Sequence, residues 1–201
     1  GDTVLPQENV ERMVIQKADD VFSRGLLEWS ADAITNSLSN IGYAFAKVNP
    51  IPTPNRAEQT VAVNMQVVPG PRVQVRRIEF RGNSRTSDEV LRREMRQFEN
   101  AWYSQAAIDR SKIRLQRLGY FESVEVETPA VSGSADQVDV VYTVKETTSG
   151  QFTFGLGYSQ SYGMTTSIQL SQNNFLGGGN RVSVDASSSS YQKRYGFSYT
   201  N

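Results

Sequence analysis

Between Arg72 and Arg96 the chain carries eight arginines, interleaved with Glu79, Asp88, Glu89 and Glu94 and followed by Glu99. These are the residues best equipped for chemistry, and the chemistry open to them is ion pairing. A guanidinium keeps its proton at any physiological pH and grips carboxylates or phosphates through paired donors. A nucleic-acid surface would need a net basic stripe with stacking aromatics. The interleaved acids and a formal net charge of zero argue against nucleic acid as a partner. Two readings remain: a solvated helix face laced by i,i+4 ion pairs, or a protein-docking surface built on Arg92, Arg93, Arg96 and Glu99. Glu99 falls where a predicted helix ends, and the helix dipole disfavours an acid there.

Covalent chemistry has little to work with. The chain has no histidine and no cysteine, so Ser-His-Asp and Cys-His nucleophiles, thiolate zinc sites and disulfides are excluded. Neither carboxylates nor lysines cluster in an acid–base pattern. The expectation is a protein that is not an enzyme and holds no metal or cofactor. No signal peptide is visible, and no apolar run approaches the roughly 20 residues a membrane helix needs. A membrane contact would have to be made by strands.

The elements that hold these residues repeat. Gly1, Val10, Val14 and Phe22 match Gly82, Leu91, Met95 and Tyr103 at a spacing of 81. The spacing falls to 77 for Leu38 with Leu115, Gly42 with Gly119, and Val61, Val63, Met65 and Val67 with Val138, Val140, Tyr142 and Val144. The difference is about one helical turn, which keeps a packing face in phase. In the second copy Val73 to Arg81 predicts a strand, and Gly82-Asn83 a turn. Thr86-x-x-Glu89 reads as a capping box opening a helix with Leu91, Met95, Phe98 and Trp102 on one face. Ser104 is a candidate N-cap for a second helix with Ile108, Leu115 and Leu118 inward, ended by Gly119. Strands near Glu122–Thr128 and Val138–Lys145 follow. Phe98, Trp102, Tyr43 and Tyr120 are expected in the core. The unit is β-α-α-β-β, so the fold class is α+β. In the first copy Leu27, Ala31, Ile34, Leu38 and Ile41 stripe the second helix, and its opening strand would lie before residue 1. The chain is therefore expected to begin inside a domain.

From Gly150 to Asn201 the charge nearly vanishes: one acid, Asp185, and three bases, Arg181, Lys193 and Arg194. The same stretch holds nine aromatics, eight glycines and ten serines. Polar and apolar residues alternate through Phe152–Tyr158, Met164–Gln172, Arg181–Ser189 and from Tyr195, the pattern of transmembrane barrel strands. Asn173 to Asn180 is the richest turn segment. A barrel closes with about eight strands, so four are expected to be the start of one.

Taken together, Val90-Leu91-Arg92-Arg93-Glu94-Met95-Arg96-Gln97, Arg117-Leu118-Gly119-Tyr120-Phe121, Asp136-Gln137-Val138-Asp139-Val140, Phe154-Gly155-Leu156-Gly157-Tyr158 and Asn174-Phe175-Leu176-Gly177 resemble the Omp85 superfamily of outer-membrane assembly proteins. The resemblance spans essentially the whole chain and is densest from Val75 to Gly179. It implies a POTRA domain over 1–71 lacking its first strand, a complete POTRA domain over 72–149, and the first antiparallel strands of an outer-membrane β-barrel over 150–201. It implies a place in the Gram-negative outer membrane with the POTRA domains in the periplasm. The expected partners are lipoproteins of the assembly complex, unfolded outer-membrane client proteins, and outer-membrane lipid.

On this resemblance Glu99 becomes the lead candidate for pairing with a partner arginine. The first barrel strand, with Phe152, Phe154, Gly155, Leu156, Gly157 and Tyr158, becomes the lateral seam that templates clients by β-augmentation. Gly155 and Gly157 either weaken that strand for opening or accommodate barrel curvature. The strand near Glu122–Thr128 reads better as an ordinary edge protected by Glu125 and Glu127. At the equivalent first-copy edge, Ala46 to Pro50, the prolines Pro50, Pro52 and Pro54 blunt pairing. Phe152, Phe154, Tyr195 and Phe197 are expected to face lipid or its interface. The alternatives are another Omp85 member, either a translocation-and-assembly subunit or a two-partner secretion transporter, or a soluble periplasmic peptide-binding module with a disordered tail.

Overall fold

A computed structural model describes residues 4–148, 150–161 and 163–201. Gly1, the expected repeat mate of Gly82, and Ser149, at the expected module boundary, lie outside the described residues. The chain divides into two units: Gly1–Ile78 with Arg96–Arg110 and Thr128–Val140, and Glu79–Met95 with Ser111–Glu127 and Val141–Asn201.

In the first unit, α1 (Gln7–Met13) and α2 (Arg24–Asn40) precede a hairpin of β1 (Lys47–Asn55) and β2 (Thr60–Val68). The stripe on α2 behaves as its spacing requires, with Leu27, Ala31, Ile34 and Leu38 buried, whereas Ile41 at its end is exposed. Leu5, Val10, Met13, Val14, Tyr43 and Val48 pack around Ile34, Leu38 and Ala46. The helix stops because Gly42 takes a φ of +111°, open to a residue without Cβ. β1 and β2 pair antiparallel over their whole length, Lys47↔Val68 to Asn55↔Thr60. Pro50, Pro52 and Pro54 share one phase of β1. The unbroken ladder requires their nitrogens to point away from β2, which leaves the outer edge of β1 short of donors. Among the described residues no strand precedes α1.

The second copy contributes β3 (Gln74–Arg81), α3 (Asp88–Arg92), α4 (Gln105–Arg117), β4 (Phe121–Glu127) and β5 (Gln137–Glu146), with sheet order β3-β5-β4. β5 is the middle strand, and Val138 through Tyr142, with Val144, are all buried. α4 follows its signals. Ser104 Oγ accepts from Ala107 N at 3.4 Å, Ile108 and Leu115 are buried, and Gly119 ends the helix at φ +71°.

The helix before α4 departs from expectation. α3 has five residues, and Phe98 and Trp102 are 63% and 44% exposed rather than in the core. The periodicity lost to a pairing with a segment distant in sequence. Asn100, Ala101 and Tyr103 exchange backbone hydrogen bonds with Val75 and Val73, so this segment runs beside the start of β3 like a short strand. Gln97, only 2% exposed, fastens it: its amide donates to the carbonyls of Phe98 and Trp102 and accepts from Ser104 N. The capping box does not form either. Ser87 is the N-cap residue, and the Thr86 hydroxyl is committed elsewhere.

After Gly150 a four-stranded antiparallel meander runs β6 (Gly150–Ser159), β7 (Gly163–Phe175), β8 (Asn180–Ser188) and β9 (Lys193–Thr200). Its strands fall where alternation predicts them.

Candidate functional site

The arginine tract is distributed, not pooled. In the first unit, Arg76 and Arg77 both donate to the carboxylate of Asp139, which is 7% exposed. Those donors, Arg76 first, hold the Asp139 carboxyl below the ordinary carboxylate range. Arg72 lies 4.0 Å over the Trp102 ring and donates to the carbonyl of Ile41 at 2.8 Å. Glu99 is exposed, but it does not sit at a helix end: α3 stops at Arg92, and a Glu99 oxygen accepts from Ile78 N at 2.8 Å. The dipole misfit that singled it out is therefore absent. Arg96 belongs to this unit and is exposed. Arg92 and Arg93 belong to the second unit. Arg92 sits 5.4 Å over the Phe80 ring, and Arg93 lies 3.7 Å from Glu94, which also pairs with Arg114 at 2.7 Å. Of the four residues, all are exposed, and the two pairs fall in different units.

The β6–β9 sheet has two unlike faces, and its register shows which residue lies on which. Phe152↔Leu170, Leu170↔Val184 and Val184↔Phe197 form one row; Phe154↔Ile168, Ile168↔Ala186 and Ala186↔Tyr195 form the next. Leu156, Tyr158, Met164, Val182 and Tyr199 share that face. The other face carries Thr153, Gly155, Gly157, Ser167, Gln169, Ser171, Ser183, Asp185 and Ser187. Three of the four charges after Gly150, Arg181, Asp185 and Arg194, lie on this polar face. Both seam glycines lie there too. A Cβ on Gly155 would stand 2.6 Å from Ser167 Oγ, and one on Gly157 2.9 Å from Thr165 Oγ1. Their missing side chains thus leave room for hydroxyls of the neighbouring strand. β6 is an outer strand of this sheet, hydrogen-bonded to β7.

A third locus escaped the sequence reading: a joint between the loop after β3 and the β7–β8 turn, inside the second unit. Glu146 accepts from Ser84 Oγ, Arg85 N, Thr86 N and Thr86 Oγ1 at 2.7–3.1 Å. Burial pushes its carboxyl up, but the four donors outweigh burial and hold it below the ordinary value. Thr86, 2% exposed, also accepts from Asn174 Nδ2 at 2.7 Å. Ser87 N donates to Gly177 O at 3.1 Å, and the Tyr120 hydroxyl donates to Gly179 O at 2.9 Å. Gly177 is required: a Cβ there would lie 1.9 Å from Arg85 O, at a φ of +77°. A cavity of about 290 Å³ opens beside the joint, lined in part by Arg85, Thr147, Gln172 and Leu176. Asn174 and Gly177 were legible as a turn. Nothing local marks Glu146, whose partners lie 60 and more residues away.

A model of the POTRA family, described as a surface antigen variable number repeat, matches residues 1–70 and 73–147. Across the whole chain it is 32% identical over 202 residues to the outer membrane protein assembly factor BamA of Neisseria meningitidis, and it spans about a quarter of that relative's length, 25%. The crystal structure of Haemophilus ducreyi BamA lacking POTRA domains 1–3 superposes with a TM-score of 0.84 at 37% identity, covering 95% of this chain and 36% of that one. A second crystal structure, Haemophilus influenzae BamA POTRA3-5, covers 69% of this chain and 55% of its own, at a TM-score of 0.65 and 39% identity.

Proposed function

The chain belongs to the POTRA family, and on that footing we propose that it serves outer-membrane protein assembly as a scaffold and folding template, not as an enzyme. Residues 1–71 and 72–149 act as periplasmic POTRA modules, and residues 150–201 are strands of a membrane barrel. The BamA relatives are named as assembly factors, and their similarity to this chain supports the assignment.

One observation carries the mechanism. β6 is an outer strand, hydrogen-bonded on one side to β7, in a sheet with one predominantly apolar face. A client strand entering hydrocarbon unpaired leaves backbone N–H and C=O groups unsatisfied, at several kcal/mol each. An outer strand already lying in the bilayer supplies those partners as the client arrives, by β-augmentation. The apolar face, with Phe152, Phe154, Leu156 and Tyr158 on β6, turns to lipid. The polar face, with Gly155 and Gly157, turns inward. Lipoproteins of the assembly complex dock on the exposed carboxylate and guanidinium groups of Glu99, Arg96, Arg92 and Arg93.

Amide hydrogen exchange on the chain in detergent micelles tests the template. Adding a peptide from the final strand of a barrel client should slow exchange at alternate amides of Gln151–Tyr158. Protection confined to β4, or none anywhere, would refute pairing at β6.

A further inference from the structure

The β7–β8 turn combines features that a solvated loop does not need. Leu176 at its tip is 91% exposed. It also holds a φ of +52°, a left-handed backbone that a leucine seldom adopts. The frame around it imposes that conformation. Gly179 N donates to Asn174 Oδ1, Gly177 N to Asn174 O, and Gly178 N to Phe175 O, while the joint at Thr86 and Ser87 holds the turn from the other side. An aliphatic side chain is thus held 91% exposed, at the mouth of the cavity it helps to line, at the expense of backbone comfort.

Phe175 belongs to the apolar face of the sheet. The register sum along β7–β8 changes between Gln172 and Phe175, so a bulge adds one residue to β7. Without it, position 175 would fall on the polar face. With it, Phe175 pairs with Asn180 and joins the phase of Val182, on the apolar face. Phe175 therefore adds an apolar residue to that face at its turn end, next in sequence to the exposed Leu176. From Gln172 to Asn180 there is no charged residue to oppose entry into a low-dielectric layer. Arg85 lines the same cavity as Leu176, which puts a cation beside the apolar tip.

We propose that the Phe175–Leu176 tip is a lipid anchor, seated at the boundary between headgroups and acyl chains at the end of the sheet held by the second POTRA module, with Arg85 at the phosphate level. The inference rests on β6–β9 being membrane strands, and its test separates the two. The chain lacks cysteine, so single nitroxide labels can be placed cleanly at Leu176→Cys, at Leu170→Cys on the apolar face, and at Gln59→Cys in the β1–β2 turn. The full chain is reconstituted into phosphatidylcholine–phosphatidylglycerol vesicles, and collision with oxygen is compared with collision with a water-soluble nickel chelate. The expected result is an oxygen-to-nickel ratio at position 176 severalfold above that at 59 and approaching that at 170. A lipid-like label at 170 with a water-like label at 176 overturns the anchor and leaves the strands in the membrane. A label at 176 shielded from both reagents marks a protein contact and likewise overturns it. Water-like labels at both 170 and 176 overturn the membrane reading and the anchor with it.

Discussion

Asp139 shows how the arginine tract is spent. Its carboxylate, 7% exposed, accepts from Arg76 and Arg77, whose own side chains stay half in water. Removing the acid takes the shared carboxylate from two partly exposed cations, so Asp139→Asn is expected to cost about 1–3 kcal/mol, short of a fully buried pair. Thermal unfolding of variant and wild type reads the difference. Asp139 and Glu146 both titrate below their ordinary values when folded. A depressed folded pKa gives stability that is present above the unfolded values, about 3.9 for Asp and 4.3 for Glu, and that is lost as pH falls further through the folded ones. Melting temperature should therefore fall steeply below about pH 4, and less steeply in Asp139→Asn. Glu99 needs two substitutions because it also caps Ile78 N. Glu99→Gln keeps an acceptor and Glu99→Lys does not. If Glu99 pairs with a partner arginine, both should weaken lipoprotein capture in a pull-down, Lys more than Gln. Unchanged capture by both would remove Glu99 from the interface.

At the scale of elements, the joint is the part most exposed to a single change. Gly177→Ala places a methyl 1.9 Å from the Arg85 carbonyl in a backbone region alanine dislikes. It should displace the β7–β8 turn, cost about 1–3 kcal/mol and speed exchange of the Ser87 amide, with α4 amides unaffected. Unchanged Ser87 exchange would show that the turn is held by other contacts. Elements fixed by local chemistry were legible in the sequence: α2 from its stripe, α4 from Ser104 and Gly119, and the meander strands from alternation. The long helix through Trp102 was misread because its period competes with a pairing between 100–103 and β3 that no local signal announces. Gln97, a buried clasp, and Glu146, the centre of the joint, carry no sequence signal that singles them out. In each case the deciding partner is distant in sequence or is a backbone group, and periodicity sees neither. Register, which sorts every side chain of β6–β9 onto its face, likewise needs the pairing itself.

For the whole molecule the central proposal is that β6 offers its outer edge to a client strand. Such pairing is antiparallel or parallel in a fixed register, so side chains of the client must alternate with those of β6. The most direct measurement is a disulfide scan in vesicles: Thr153→Cys on the polar face of β6 against single cysteines walked along the final strand of a barrel client. The account predicts cross-links at every second client position, centred on one residue, and their loss when β6 is interrupted by Leu156→Pro. Cross-links with no two-residue period, or equal cross-linking with the interrupted strand, would contradict it.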